Sequence, residues 1–234
     1  MNYDAILIDA DDTLFDFEHA EAAALESTLS TLGFDLAADG WIDTFRRINA
    51  RAWADYEAGR ATSQEIRLRR FVEFLTQYDI PADPAEVSRR YVDHLAECGH
   101  LFPGALHLLD TLHGLAPLAL VTNGIAAVQR SRIARAAIAD RFTAIVISEE
   151  VGSQKPDRAI FEHAVAALST SGAPDPSRIV MIGDGLHSDI KGAIDFGIDA
   201  IWFNVRNKPA DPAIVPTATV RTFDDLYPLL GIPG

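Results

Sequence analysis

Short runs of apolar residues, many of them β-branched, recur along the chain, and polar residues follow each run directly. The runs do not alternate with polar residues, so they predict strands that are buried on both faces, as in a parallel sheet. The five strands predicted in this way are residues 5–8, 118–121, 144–147, 179–182 and 200–203.

Helical patterns separate the later strands. One follows Pro103-Gly104 and runs through residue 115, and the others cover residues 126–137 and 156–168. Strands that alternate with helices predict an α/β fold, here a doubly wound, Rossmann-like parallel sheet. The stretch 169–177, rich in Ser, Gly and Pro, is predicted to be a surface loop.

Residues 16–100 interrupt this alternation, because they contain no run that resembles a strand. A capping box at residues 62–65 and an Asp-Pro pair at residues 83–84 are typical helix starts. The sequence therefore predicts an all-helical insertion within an α/β core formed by residues 1–15 and 101–234.

Composition narrows the class of protein. The 234 residues carry 20 basic and 34 acidic side chains, a net charge of −14. Such acidity argues against a general nucleic-acid binder and against docking on anionic lipid. Cys98 is the single cysteine in the sequence, so no internal disulfide can form. We expect Cys98 to be a small buried apolar residue. With no secretory signal or membrane-spanning run in the sequence, we expect a cytoplasmic protein without membrane partners.

Polar residues follow the predicted strands at the edge where parallel sheets bind ligands. Any one of these segments could be an ordinary turn, because Asp, Asn, Gly and Thr are common in turns. Four segments together indicate a functional site. They contribute Asp9, Asp11 and Thr13; Thr122, Asn123 and Gly124; Lys155; and Asp184 with Asp189.

These groups suit phosphoryl transfer through a covalent aspartyl intermediate. A carboxylate can act as the nucleophile, but it repels phosphate unless a cation neutralises the pair. Mg²⁺ prefers oxygen ligands, and Asp9 and Asp184 can supply them. Lys155 adds a second positive charge on the phosphoryl group. Asp11 can protonate the leaving alkoxide and then deprotonate the attacking water.

The turn after the second strand completes the predicted phosphate site. Thr122 offers a hydroxyl group, and Asn123 and Gly124 offer backbone N–H donors at the start of a helix. Such donors bind anions. A single lysine in the four segments favours a substrate with one phosphate group.

The four segments resemble, in order, the four motifs of the haloacid-dehalogenase-like (HAD) phosphatase superfamily. The resemblance implies Asp9 as the nucleophile and Asp11 as the general acid and base. It implies Thr122 and Lys155 as phosphate ligands. The expected metal ligands are Asp9, the backbone carbonyl of Asp11, Asp184 and, often through a water, Asp189. The helical insertion resembles the superfamily's cap.

A finer resemblance concerns residues 8–17, 146–152 and 188–193, which look like the housecleaning pyrimidine 5′-nucleotidase branch. It implies a nucleoside monophosphate as substrate, with a base held by the cap. Sugar-phosphate and acylneuraminate phosphatases carry similar tracts. One departure is Gly185, where the branch usually has Ser or Thr, and we expect a modest effect on metal affinity.

The sequence leaves other functions open. A sugar-phosphate or other small-metabolite phosphatase and a phosphomutase fit the same motifs. Haloacid dehalogenation needs neither a metal nor a second acid, so the presence of both Asp11 and Asp184 argues against it. The intact motifs also argue against a binding protein without catalytic activity. Phe15 and Phe17 either line the site entrance or pack beneath the cap. The cap residues Arg46, Arg47, Arg51 and Trp53 either contact substrate or form surface ion pairs and helix packing. The sequence leaves the oligomeric state open.

Overall fold

A computed structural model of the chain describes residues 1–34, 40–168 and 175–232. It confirms the α/β class, because six strands form one sheet in which each strand runs parallel to its neighbours. The strands are β1 (Ala5–Ile8), β2 (Leu118–Thr122), β3 (Ala144–Ile147), β4 (Ile179–Gly183), β5 (Asp199–Phe203) and β6 (Ala218–Val220).

Helices surround the sheet or form a separate unit. Their bounds are α1 (Phe17–Thr31), α2 (Trp41–Glu57), α3 (Ser63–Gln77), α4 (Pro84–Glu97), α5 (Ala105–Leu112), α6 (Ala126–Arg135), α7 (Ser148–Val151), α8 (Arg158–Leu168), α9 (Lys191–Phe196) and α10 (Leu226–Leu230). Among the residues described, none of these helices has the length and apolarity required to cross a bilayer.

The order of the strands is β3-β2-β1-β4-β5-β6, so β1 lies at the centre between β2 and β4. Residues along β1 alternate between two apolar layers: Ile6 and Ile8 pack on one face, and Ala5 and Leu7 pack on the other. Burial on both faces explains the uninterrupted apolar run. The central position also brings the carboxyl ends of β1, β2 and β4 together.

The chain divides into two compact units. One comprises Met1–Phe17 with His100–Gly234, and the other comprises Glu18–Gly99. The second unit is helical, and α3 begins at a capping box in which Thr62 accepts a bond from the Glu65 N–H while the Glu65 side chain accepts one from the Thr62 N–H. Asp83 caps α4 through the Ala85 N–H at 3.2 Å.

Several details differ from the sequence prediction. Strand β6 was missed because it has three residues, one of them an exposed threonine, at the edge of the sheet. Helix α5 begins after Gly104 as predicted but ends at Leu112 rather than at residue 115, and Gly114 beyond it has a left-handed conformation, with φ of 81°. The prediction that Cys98 is buried is wrong: it follows the last turn of α4 and is half-buried. Of the loop predicted at residues 169–177, positions 169–174 lie outside the described residues.

Candidate active site

Asp9 lies immediately beyond the carboxyl end of the central strand β1 and is 6% exposed. Its backbone N–H donates to the Ile182 carbonyl oxygen at 2.9 Å, which continues the pairing between β1 and β4. Its Oδ1 accepts from the Lys155 ammonium group at 2.5 Å, and its Oδ2 accepts from the Thr13 hydroxyl at 3.2 Å. The carboxylate is therefore fixed in orientation and paired with a cation.

Three oxygen atoms surround the Lys155 ammonium group: two accept hydrogen bonds from it, and the third, on Asp189, forms an ion pair with it. They are Asp9 Oδ1, Asp189 Oδ1 at 2.7 Å and the Val121 carbonyl at 2.7 Å. Burial lowers the pKa of Lys155, but the two carboxylates outweigh it and hold that pKa above its usual value. Lys155 is therefore a permanent positive charge beside Asp9.

The Asn123 side chain holds the backbone of Lys155 in place. Its Nδ2 donates to the Lys155 carbonyl at 2.9 Å, and its Oδ1 accepts from the Lys155 N–H at 2.8 Å. Thr122 Oγ1 accepts from the Gly124 N–H at 3.1 Å and so stabilises the turn after β2. The roles assigned to Thr122 and Asn123 in phosphate binding remain predictions, and the Asn123 side chain has a second task that the sequence did not reveal.

Three carboxylates converge beyond β1 and β4. One oxygen from each of Asp9, Asp184 and Asp189 lies within 4.8 Å of the others. Asp189 Oδ2 accepts from the Gly185 N–H at 2.9 Å. The Trp202 indole N–H donates to the Asp184 carbonyl at 2.9 Å. Of the predicted site residues, this cluster brings together Asp9, Asp184, Asp189 and Lys155.

The three carboxylates of the cluster carry more negative charge than Lys155 and Lys208, the two lysines paired with them, can neutralise. Burial raises the pKa of Asp9 well above its usual value, and the charges of Asp189 and Asp184 add to the increase while Lys155 opposes it. Burial likewise raises the pKa of Asp184 to about 7, although Lys208 acts in the opposite direction. A hard divalent cation is the ligand that such crowded carboxylates fit. The residues present therefore suit Mg²⁺.

Two glycines permit this crowding. A β-carbon at Gly183 would lie 2.3 Å from Asp189 Oδ2, and one at Gly185 would lie 2.2 Å from Ser188 Oγ. A π-helical turn over Leu186–Ile190 folds Asp189 back against the end of β4. The glycine at position 185 thus has a steric reason in this chain, which the sequence alone did not indicate.

The side chain of Asp11 does not join the carboxylate cluster. Its Oδ2 accepts from Gln129 Nε2 at 2.6 Å, and its Oδ1 pairs with the Arg132 guanidinium group, both on α6. The predicted roles of Asp11 as acid, base and backbone metal ligand remain predictions. Its two side-chain partners were not among the residues identified from sequence.

Sequence reasoning also missed two cations on the segment after β5. Lys208 pairs with Asp184 Oδ2, and Arg206 donates to Asp12 at 3.1 Å and to Asp16 at 2.6 Å. Extending the rule about carboxyl ends of strands to β5 would have found both, because they follow that strand within five residues.

In the helical unit, Arg46, Arg51 and Trp53 were candidates for contact with substrate, and each contacts another side chain of the same unit. Arg46 Nε lies 3.4 Å from Glu21 Oε2, and Arg51 pairs with Glu73. The Trp53 ring packs edge-on against Tyr56 with centroids 5.6 Å apart. The described contacts of these residues are ion pairs and helix packing, and contact with substrate stays a prediction.

Comparison with known proteins gives matches over nearly the whole chain. A sequence model of haloacid dehalogenase-like hydrolases matches residues 3–197. The pyrimidine 5′-nucleotidase YjjG of Escherichia coli K12 is 34% identical over 230 residues, covering 98% of this chain and 99% of that protein. The pyrimidine 5′-nucleotidase PynA of Streptococcus pneumoniae R6 is 33% identical over 235 residues, covering 98% and 96%.

A solved structure matches just as completely. The crystal structure of the HAD-hydrolase YfnB of Bacillus subtilis, which is bound to magnesium, superposes with a TM-score of 0.92 at 32% identity. The superposition covers 99% of this chain and 100% of that one.

Proposed function

Because this chain belongs to the haloacid dehalogenase-like hydrolases, we propose that it is a Mg²⁺-dependent phosphomonoesterase that forms an aspartyl-phosphate on Asp9. The observation that carries the proposal is the pairing of a buried Asp9 with the Lys155 ammonium group beside two further carboxylates. A nucleophilic carboxylate, a fixed cation and a crowded acidic cluster are what phosphoryl transfer to an aspartate requires.

In the first half-reaction, an Asp9 oxygen attacks phosphorus and the bond from phosphorus to the ester oxygen breaks. Asp11 gives its proton to the departing alkoxide. Lys155, the Thr122 hydroxyl and the Asn123 backbone N–H bind the phosphoryl oxygens. The outcome is an acyl phosphate on Asp9 and a free alcohol.

In the second half-reaction, Asp11 takes a proton from water as the water oxygen attacks phosphorus. The bond between phosphorus and the Asp9 oxygen breaks, which releases inorganic phosphate and restores the carboxylate. Asp9 and Asp184 would hold Mg²⁺, with Asp189 and the Asp11 carbonyl on the same side. When bound, Mg²⁺ neutralises the negative charges that carboxylates and phosphate bring together.

The substrates we propose are pyrimidine nucleoside 5′-monophosphates. Support comes from two relatives named as pyrimidine 5′-nucleotidases, each matched over at least 96% of its length. It also comes from the finer sequence resemblance. Sugar phosphates are the competing substrates.

Specificity constants test this proposal. We would measure kcat/KM for uridine, thymidine and guanosine 5′-monophosphates and for several sugar phosphates, in Mg²⁺ and in chelator. We expect the two pyrimidine nucleotides to lead and activity to vanish in chelator. A sugar phosphate hydrolysed tenfold better than every nucleotide, about 1.4 kcal/mol in transition-state binding, would exclude the nucleotidase. Rapid phosphate transfer between sugar positions, with little inorganic phosphate released, would indicate a phosphomutase.

A further inference from the structure

Helix α6 links the phosphate-binding turn to the proposed acid and base. The helix begins at Ala126, four residues after Thr122, and presents two side chains to Asp11. Gln129 Nε2 donates to one carboxylate oxygen of Asp11 at 2.6 Å, and Arg132 pairs with the other. Each oxygen of Asp11 therefore has its own donor from the same helix.

Both donors are themselves fixed by close packing. A β-carbon at Gly124 would lie 2.2 Å from Gln129 Nε2, so the Gln129 side chain lies directly against the phosphate-binding turn. The Arg132 side chain is fully buried, and its guanidinium carbon lies 4.4 Å from the centre of the Phe15 ring. A cation stacked on an aromatic face has few alternative orientations.

We propose that Arg132 and Gln129 are positioning residues that fix the Asp11 carboxylate for proton transfer to the leaving group. The proposal rests on the proposed function, in which Asp11 is the general acid. Asp11 retains 27% side-chain exposure, so without these donors its carboxylate would exchange among rotamers and water contacts. Proton transfer requires the acid within hydrogen-bond reach of the ester oxygen, and misplacement reduces the rate.

Arg132 could instead serve only to stabilise the fold, with Asp11 as its counter-charge. The leaving group separates the two roles. A nucleoside alkoxide is a strong base and needs a proton as it departs, whereas 4-nitrophenolate leaves without one. A positioning residue therefore affects nucleotide hydrolysis selectively, and a structural residue affects both substrates alike.

The test compares kcat/KM for uridine 5′-monophosphate and 4-nitrophenyl phosphate, because this constant reports formation of the phosphoenzyme. The variants are Arg132→Met, Arg132→Lys and Gln129→Leu. The matched control is Arg130→Met, since Arg130 lies on the same helix and pairs with Glu150 at the exposed surface. We expect Arg132→Met and Gln129→Leu to lower the nucleotide-to-aryl ratio about tenfold or more. Arg132→Lys should recover part of the loss, and Arg130→Met should leave the ratio unchanged.

A double-mutant cycle with Asp11→Asn shows whether Arg132 acts through Asp11. We expect Arg132→Met to cost nothing further in that background. Equal losses of kcat/KM on both substrates, or losses that multiply in the cycle, would overturn the inference.

Melting temperatures verify that each variant is folded, and Gln129→Leu serves as the deciding variant if Arg132→Met does not fold. If Asp11→Asn itself leaves the ratio unchanged, the acid role in the proposed function fails; if only the α6 variants leave it unchanged, this inference fails.

Discussion

At the scale of single residues, close approach rather than backbone conformation explains the glycines of the active site. Gly124, Gly183 and Gly185 each face a side-chain atom that would lie 2.2 or 2.3 Å from an added β-carbon. The atoms they face belong to Gln129, Asp189 and Ser188. The glycines therefore let the acidic and polar groups pack against the ends of β2 and β4.

Gly185→Ser should weaken Mg²⁺ binding in this chain. The new side chain would collide with Ser188 Oγ and press on Asp189, whose Oδ2 would lie 3.0 Å from the β-carbon. Mg²⁺ affinity can be followed by tryptophan fluorescence, because the Trp202 indole bonds to the Asp184 carbonyl. Gly185→Ser with Ser188→Ala should recover most of the affinity; equal affinities for wild type and Gly185→Ser would contradict the steric argument.

Asp9→Asn should abolish turnover of every phosphate ester, because an amide cannot form the acyl phosphate.

Asp11→Asn should instead slow nucleotide hydrolysis roughly 10²–10⁴-fold, the usual contribution of a general acid or base. Steady-state assays measure both effects, and circular dichroism verifies that each variant is folded. Turnover at the wild-type rate by Asp11→Asn would remove Asp11 from the mechanism.

At the scale of elements, the segment that follows β5 connects two parts of the site. Asn204 holds the Lys208 backbone through two bonds, donating to its carbonyl at 2.9 Å and accepting from its N–H at 2.7 Å. Lys208 then pairs with Asp184, while Arg206 pairs with Asp12 and Asp16 beyond β1. This segment therefore supplies positive charge to both acidic loops.

Lys208→Met should lower the melting temperature of the metal-free protein, because Asp184 loses its cationic partner. The lysine is partly exposed, so the expected loss is about 1 kcal/mol. Mg²⁺ should raise the melting temperature of the variant more than that of wild type, since the bound ion replaces the missing charge. Lys191→Met, which removes the exposed pair with Asp195, serves as the control. Equal Mg²⁺ gains in wild type and Lys208→Met would show that Lys208 does not balance the cluster.

At the scale of the whole molecule, a chain with a net charge of −14 buries several carboxylates, and their burial is a cost to folding when they are ionised. The folded protein raises the pKa of Asp184 from 3.8 to about 7, mainly through burial. An acid with a raised pKa takes up a proton on folding, so its contribution to stability is greatest at low pH and is lost as pH rises towards 7.

The metal-free protein should therefore melt at a higher temperature at pH 5.5 than at pH 8. Calorimetry in chelator measures the difference. Asp184→Asn should reduce it, because the amide does not ionise, and saturating Mg²⁺ should reduce it in wild type by stabilising the ionised carboxylates. A pH dependence as large in Asp184→Asn as in wild type would assign the effect to the general negative charge instead.

Within the part of the chain that the structure describes, the sequence alone determined the fold class, five of the six strands and the polar residues that end them. It could do so because burial on both faces of a parallel sheet forces uninterrupted apolar runs, and parallel strands place their carboxyl ends at one edge. Asp9, Lys155, Asp184 and Asp189 were identifiable in this way, although they span 180 positions.

Only the tertiary structure decided which side chains these residues contact. The pairing of Asp11 with Gln129 and Arg132 joins positions 118 and 121 residues apart, and that of Lys208 with Asp184 depends on the path of the segment after β5. An arginine or glutamine on an amphipathic helix has the same local pattern whether it faces solvent or a carboxylate. Local periodicity records burial, whereas the choice of partner depends on how distant elements pack against one another.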